Sequence, residues 1–198
     1  MKSIFSRNVP GMTKVLRTKC AAIAGCGGLG SNVATLLVRA GIGSLILVDP
    51  DKVEYSNLNR QQYFIEDVGK KKVDCLSHHL KRINPGINVV KFCERLSPEN
   101  AEEILGNADL IVEAFDRAED KCWLIDTCCK LFPQKPLICG NGLAGYGKTD
   151  EIKVTKVGNI WFCGDGKSDL SEGLCSARVA IVAAMQANVA IEVLMSKR

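Results

Sequence analysis

An α/β fold, doubly wound about a mostly parallel sheet with an antiparallel edge and a C-terminal helix, is what three features of this sequence predict. Short apolar runs alternate with helix-period segments through the first 140 residues, and a glycine-rich turn joins the first run to the first helix. From residue 152 the rhythm changes to strand-like alternation, and the chain closes on a long apolar segment.

Each element has its own signal. Residues 20–25 are a short apolar run, residues 29–40 place small and aliphatic side chains at helix-packing positions, and residues 44–49 are a second apolar run ending in acid, which together make a βαβ unit. A helix is expected over 68–83, stopped by Asn84-Pro85-Gly86, with a strand over 87–93. Ser97 is placed to cap a helix with Pro98 at its first position and acids in its first turn. A buried strand over 108–114, a helix over 120–131 and a strand over 136–139 follow, and glycine-rich residues 140–147 end the alternation. Between 152 and 162, Val154, Val157 and Ile160 alternate with Lys and Thr, as in an antiparallel pair. Residues 177–195 are apolar enough to suggest a membrane span. Arg178, Gln186, Asn188 and Glu192 interrupt them within one arc of roughly 160°, which predicts an amphipathic helix closing a soluble core. No repeat or linker divides the chain, so residues 1–198 read as one domain.

Composition narrows the function classes. With 46% apolar and 24% charged residues, disordered, collagenous and low-complexity chains are excluded. A net charge of +4 gives no positive case for nucleic acid, and neither a nucleic-acid nor a membrane partner is expected. Ten cysteines raise the question of a metal or disulfide framework, but no two are spaced as CxxC, and several lie in apolar runs where a thiol acts as a small hydrophobe. Zinc is therefore not expected. The first residues lack the apolar stretch of a secretion signal, so the expected setting is cytoplasmic, with reduced thiols.

The chemistry-bearing residues begin at Gly25-Cys26-Gly27-Gly28-Leu29-Gly30, between the first strand and first helix. Gly25 permits the turn, Gly27 and Gly28 let backbone approach a phosphate, and Gly30 lets helix and strand pack closely, in a Rossmann-like arrangement that aims a helix N-terminus at an anion. Asp49, nineteen residues beyond Gly30, ends the second strand where a carboxylate can accept ribose hydroxyls. A dinucleotide site would stop there. Arg60 and Lys72 add cations that a nucleoside triphosphate requires and a dinucleotide does not, although Lys70 to Lys72 alone would also suit a solvated helix face.

Gly-x-Gly-Gly-x-Gly, the strand-end Asp49, Ser56-Asn57-Leu58-Asn59-Arg60-Gln61 and Gly69-x-x-Lys72 together resemble the ThiF/MoeB/HesA family, relatives of the ubiquitin-activating enzymes. Glu113-Ala-Phe-Asp116, Gly145-Tyr146-Gly147 and Gln186-Ala-Asn188 extend the resemblance over nearly the whole chain, and it is nearest to the short ThiF form of thiamine biosynthesis. The resemblance implies ATP- and Mg²⁺-dependent adenylation of the C-terminal Gly-Gly carboxylate of a ThiS-like sulfur carrier, with pyrophosphate released. It further implies that Arg60 and Lys72 grip phosphates, Asn57 and Gln61 orient them, Asp49 binds ribose and Asp116 holds Mg²⁺. A homodimer and a sulfur-donor enzyme are implied partners, and Phe5-Ser6-Arg7 is similar to a segment that supplies an arginine across a dimer interface. Some relatives use a cysteine to form an acyl persulfide, a role for which Cys163 and Cys175 lie in the right half of the chain; the alternative for each is a packing thiol.

The chain departs from the family pattern in two places. Arg117 follows Asp116 where relatives often carry Asn, and Gly173-Leu174-Cys175-Ser176-Ala177-Arg178 replaces a segment that often contains Met and Pro. Three other functions stay open: a tRNA-modifying dehydratase of the same superfamily, an NAD-binding oxidoreductase, which Arg60 and Lys72 disfavour, and an ATP-binding module without turnover. His78 and His79 read as surface or capping residues, and Trp123 and Trp161 as core or interface anchors.

Overall fold

Short strands buried on both faces need helices on both sides, and the chain meets that demand with a single sheet. The computed structural model describes residues 3–196. Seven strands, β1 (Cys20–Ala24), β2 (Ser44–Val48), β3 (Asn88–Phe92), β4 (Leu110–Glu113), β5 (Leu137–Gly140), β6 (Lys153–Val157) and β7 (Ile160–Gly164), lie in the order β3-β2-β1-β4-β5-β7-β6. All neighbours are parallel except β6 and β7, which form the expected antiparallel edge.

Alternation along β1 splits the core in two. Ala21 and Ile23 face the layer formed by α1 (Met12–Leu16), α2 (Gly28–Ala40), α3 (Lys72–Ile83) and α6 (Ser176–Met195), where Leu37, Leu76 and Val182 are fully buried. Ala22 and Ala24 face α4 (Ala101–Leu105) and α5 (Ala118–Leu131), packing with Ile104 and Leu124. The strand order reverses at β1: β2 lies on one side and β4 on the other. The crevice beyond the C-terminal ends of β1 and β4 is therefore the topological switch point, where open α/β sheets bind ligands.

Several expected boundaries are corrected. The third helix starts at Lys72 rather than 68, because Val53 exchanges backbone hydrogen bonds with Gly69 and Lys70 and holds that stretch against the preceding loop. Ser97 and Pro98 do not start α4. The Asn100 side chain accepts the Ser97 N–H at 2.8 Å, which closes a turn and delays the helix to Ala101. Helix α1 had no periodic signal at five residues and is fixed by Leu16, whose carbonyl accepts the Gly43 N–H at 2.9 Å. In α6 only half of the expected polar arc meets water: Asn188 and Glu192 are exposed, whereas Arg178 and Gln186 are buried. The Gln186 amide donates to the carbonyls of Glu113 and Ile138, tying the helix to β4 and β5.

The close approach of α2 to β1 depends on Gly30. A β-carbon there would stand 1.8 Å from the Gly25 carbonyl oxygen and 2.9 Å from Ile23 Cγ2. Gly30→Ala is expected to lower unfolding free energy by about 3 kcal/mol, the upper end of overpacking costs, in urea titration; a change near zero would contradict this packing.

Candidate active site

The glycine loop is shaped by groups outside it. Gly25 turns at φ 96°, and the Cys26 N–H donates to Asp49 Oδ2 at 2.7 Å while the Cys26 carbonyl accepts the Tyr63 hydroxyl at 2.7 Å. Asp49, 5% exposed at the end of β2, uses Oδ1 to accept the Asp51 N–H at 2.8 Å. Burial pushes its carboxyl above the ordinary range, and Lys72 and the two backbone donors offset part of that rise. Two backbone bonds leave the carboxylate with acceptor capacity for ribose hydroxyls.

Most of the expected nucleotide residues line one cleft of about 740 Å³: Gly25, Gly27, Gly28, Asp49, Asn57, Arg60, Gln61, Lys72 and Asp116. Gly30 lies beneath it as the packing contact already described. The stem of Arg60 crosses the first turn of α2, with Cγ and Nε each 3.6 Å from where a Gly28 β-carbon would sit. Its guanidinium donates to the Ser56 carbonyl at 2.9 Å and to Asn59 Oδ1 at 2.8 Å, with no carboxylate among these partners. Lys72 is no solvated face residue. It is buried as the first residue of α3, 2.8 Å from Asp51 and 3.8 Å from Asp49. Asn57 caps the loop after β2, its Oδ1 accepting the Glu54 N–H at 3.0 Å.

Gln61 is the residue that most asks for a ligand. Its side-chain oxygen is buried without a partner, and its amide nitrogen lies 3.8 Å from the position of a Gly27 β-carbon. The amide nitrogen beside the glycine loop can donate to an anion laid over that loop, and the orphaned oxygen needs a donor, such as a hydroxyl or amino group of a nucleotide. Asp116 is exposed on the cleft wall, and the described residues contain no cluster of three metal-ligating side chains. A lone carboxylate is a poor zinc site but fits Mg²⁺ held together with phosphate oxygens.

The other expected residues stand apart. Arg7 is exposed, in a segment pinned by Asn8 to the Ala40 carbonyl, at the end of α2 opposite the cleft and about 20 Å away by helix rise. Cys163 is fully buried in β7, and burial pushes its thiol up to about 11, so it is a packing residue rather than a reactive thiol. Cys175 is partly exposed at the N-cap of α6, next to the lining residue Leu174. His79 is not a surface residue: it bridges Asp67 at 3.1 Å and the Gln62 carbonyl at 3.1 Å, while His78 is exposed. Trp123 lines the cleft near Phe115, donating to Asp120 at 3.1 Å.

Two ion pairs were not anticipated from sequence. Lys121 lines the cleft and grips both oxygens of the fully buried Glu113, at 2.9 and 3.0 Å. Burial pushes the Glu113 carboxyl up and Lys121 offsets part of the rise. The signal was a strand-end acid followed eight residues on by a lysine in the next helix. The second pair joins Arg178 to Asp165 in the loop after β7, both nearly fully buried. Burial alone would raise the Asp165 carboxyl, but hydrogen bonds from Ser168, Lys167 and Arg178 hold it at about 2.

Because Asp165 is held below its ordinary value of 3.8, it contributes stability that is complete above about pH 4 and lost as pH falls toward 2. Asp165→Asn is expected to cost of the order of 3 kcal/mol at pH 7, by leaving Arg178 unpaired, and to flatten the pH 4 to 2 limb of a stability profile. An unchanged acid limb would contradict the pairing.

Comparison with known proteins matches this geometry to a family. The ThiF family profile matches residues 4–198. The adenylyltransferase and sulfurtransferase uba4 of Aspergillus niger is 40% identical over 134 residues, which cover 67% of this chain and 27% of that protein. The sulfur carrier protein ThiS adenylyltransferase of Bacillus subtilis is 35% identical over 151 residues, covering 75% of this chain and 44% of that protein. The chain thus spans less than half the length of these two relatives. Among solved structures, the E. coli tRNA N6-threonylcarbamoyladenosine dehydratase TcdA superposes with a TM-score of 0.85 at 21% identity, covering 93% of this chain and 89% of that one, which supports the fold. With its glycine loop, strand-end acid and cationic cleft matched over almost its full length, the chain belongs to the ThiF family.

Proposed function

We propose that this chain is an adenylyltransferase that transfers AMP from ATP to the C-terminal carboxylate of a small ThiS-like sulfur carrier ending in Gly-Gly. The observation that carries this reading is the meeting, in one cleft, of the glycine loop, Asp49, the Gln61 side chain with its unpartnered oxygen and the cations Arg60 and Lys72. The ThiS adenylyltransferase of Bacillus subtilis supports the carrier, and a place in thiamine biosynthesis rests on the resemblance to the short ThiF form.

The reaction explains the residue types. A carboxylate oxygen attacks the α-phosphorus, a new P–O bond forms, and the bond to the bridging oxygen breaks as pyrophosphate leaves. Anion meets anion, so the barrier falls when fixed positive charge faces the phosphates in the transition state. Arg60 lies over the helix N-terminus, where backbone N–H groups already favour an anion. Lys72 would exchange its contact with Asp51 for a phosphate oxygen, and Asp49 would hold the ribose. Asp116 would hold Mg²⁺, which when bound neutralises phosphate charge. No side-chain nucleophile is required, because the attacking group arrives on the carrier.

Free thiols at all ten cysteines suit a cytoplasmic setting. The homodimer and the sulfur donor belong to the same proposal and rest on the family resemblance alone. A tRNA substrate, as the printed name of the E. coli neighbour has it, would rest on the fold only.

Carrier-dependent ATP–pyrophosphate exchange tests the reading. Exchange should require Mg²⁺ and a Gly-Gly-ended carrier, and Arg60→Ala or Lys72→Ala should lower its rate about 10²- to 10³-fold. A folded preparation that exchanges with no such carrier, or an Arg60→Ala variant with unchanged rate, would refute it.

A further inference from the structure

Arg178 occupies an unfavourable position for a cation. It is the third residue of α6, where the helix end is positive, no acid in that turn relieves it, and it is 3% exposed. Its fork is used by two loops at once: one terminal nitrogen donates to the Gly147 carbonyl and the other to Asp165, while the buried Nε–H finds no protein acceptor.

Those two loops, residues 141–148 after β5 and 165–174 after β7, turn repeatedly through left-handed backbone. Five of their glycines and Lys148 lie at positive φ. They are stitched together by the Asp165 N–H on the Gly142 carbonyl (3.0 Å), the Ala144 N–H on Ser168 Oγ (3.1 Å) and the Gly145 N–H on the Gly173 carbonyl (2.8 Å). Asp165 Oδ1 in turn receives the Lys167 and Ser168 N–H groups, both at 2.8 Å. Arg178 therefore fastens both loops to α6 from beneath. Above the pin, Leu143, Ala144, Ser168, Leu170 and Leu174 form the wall of the cleft on the β5–β7 side, away from Asp49 and Lys72.

We propose that Arg178 is a positioning residue for the acceptor: by pinning both loops it fixes the wall along which the carrier's C-terminal tail must lie for its carboxylate to meet the α-phosphorus. The proposal rests on the adenylation reading. The nucleotide is held from the β1–β2 side by the glycine loop, Asp49 and Lys72, and Arg60 meets this wall through Asn59, whose amide donates to the Leu174 carbonyl at 3.2 Å, so loosening the wall disturbs acceptor placement far more than ATP affinity. Misplacement by about 1 Å suffices to cost of the order of 10²-fold in rate.

Two variants separate this role from general stability. Arg178→Met combined with Asp165→Asn removes both buried charges, so the protein is expected to fold. Arg178→Lys keeps a charge for Asp165 but lacks the fork that also reaches Gly147. Hydrogen–deuterium exchange should show amides of 142–147 and 165–173 opening about tenfold faster in the double variant, with residues 20–24 and 30–37 unchanged. In Arg178→Lys only 145–148 should loosen. By calorimetry, ATP affinity should stay within about twofold, while KM for a Gly-Gly-ended ThiS-type carrier in pyrophosphate exchange rises about tenfold or more. Unchanged exchange in both loops would overturn the proposal, as would ATP affinity and carrier KM weakening together. Loosened loops alongside a wild-type protein that shows no carrier-dependent exchange would instead overturn the adenylation reading, and the acceptor role with it.

Discussion

The buried carboxylate of Asp49 is the constraint on which the cleft depends. One oxygen holds the Cys26 N–H and so sets the glycine loop, and the other holds the Asp51 N–H and so sets the turn after β2. That turn places the Asp51 carboxylate for Lys72, whose own N–H is bound by the Asp51 carbonyl, so the start of α3 is fixed as well. A single acid at a strand end thus positions the phosphate-facing loop, a neighbouring cation and the ribose-facing acceptors. Burial makes the ionised form of such an acid costly, and the nearby ammonium group of Lys72 offsets part of that cost.

The charges around the cleft divide into those that hold the protein and those left for a ligand. Lys121 is committed to Glu113, Arg95 to Asp120 and Arg178 to Asp165, and these pairs secure the ends of β4, the start of α5 and the loop after β7. Arg60 is bound only by neutral oxygens and keeps its full charge for an anion. Gln61 carries a buried oxygen with no partner. An anion over Gly27 and Gly28 would meet the Arg60 guanidinium and the Gln61 amide nitrogen, and the orphaned oxygen needs a donor such as a hydroxyl or amino group, which is why the reading favours a nucleotide over an apolar ligand.

Where a residue's task is local, the sequence made it legible. The glycine spacing, the acid ending β2 and the alternation from 152 to 162 each report a contact within one supersecondary unit, and the structure places them as expected. What was illegible depends on distant partners. Nothing near Arg178 announces that residues 147 and 165 will meet it, so its charge read as a solvated helix face. Ser97 and Pro98 looked like a helix start because competition from the Asn100 side chain is decided by three-dimensional geometry. Lys70 to Lys72 taken alone suit a solvated helix face, and it is the burial of Lys72 beside Asp49 and Asp51, set by distant parts of the chain, that separates it from its neighbours.

The central claim is that this cleft brings a carrier carboxylate to the α-phosphorus of ATP. Intact-mass measurement of a Gly-Gly-ended ThiS-type carrier, incubated with the chain, ATP and Mg²⁺, tests it most directly. The account predicts a carrier species heavier by one adenylyl group, with pyrophosphate released in equal amount. ATP bound in the cleft with the carrier's mass unchanged would contradict it.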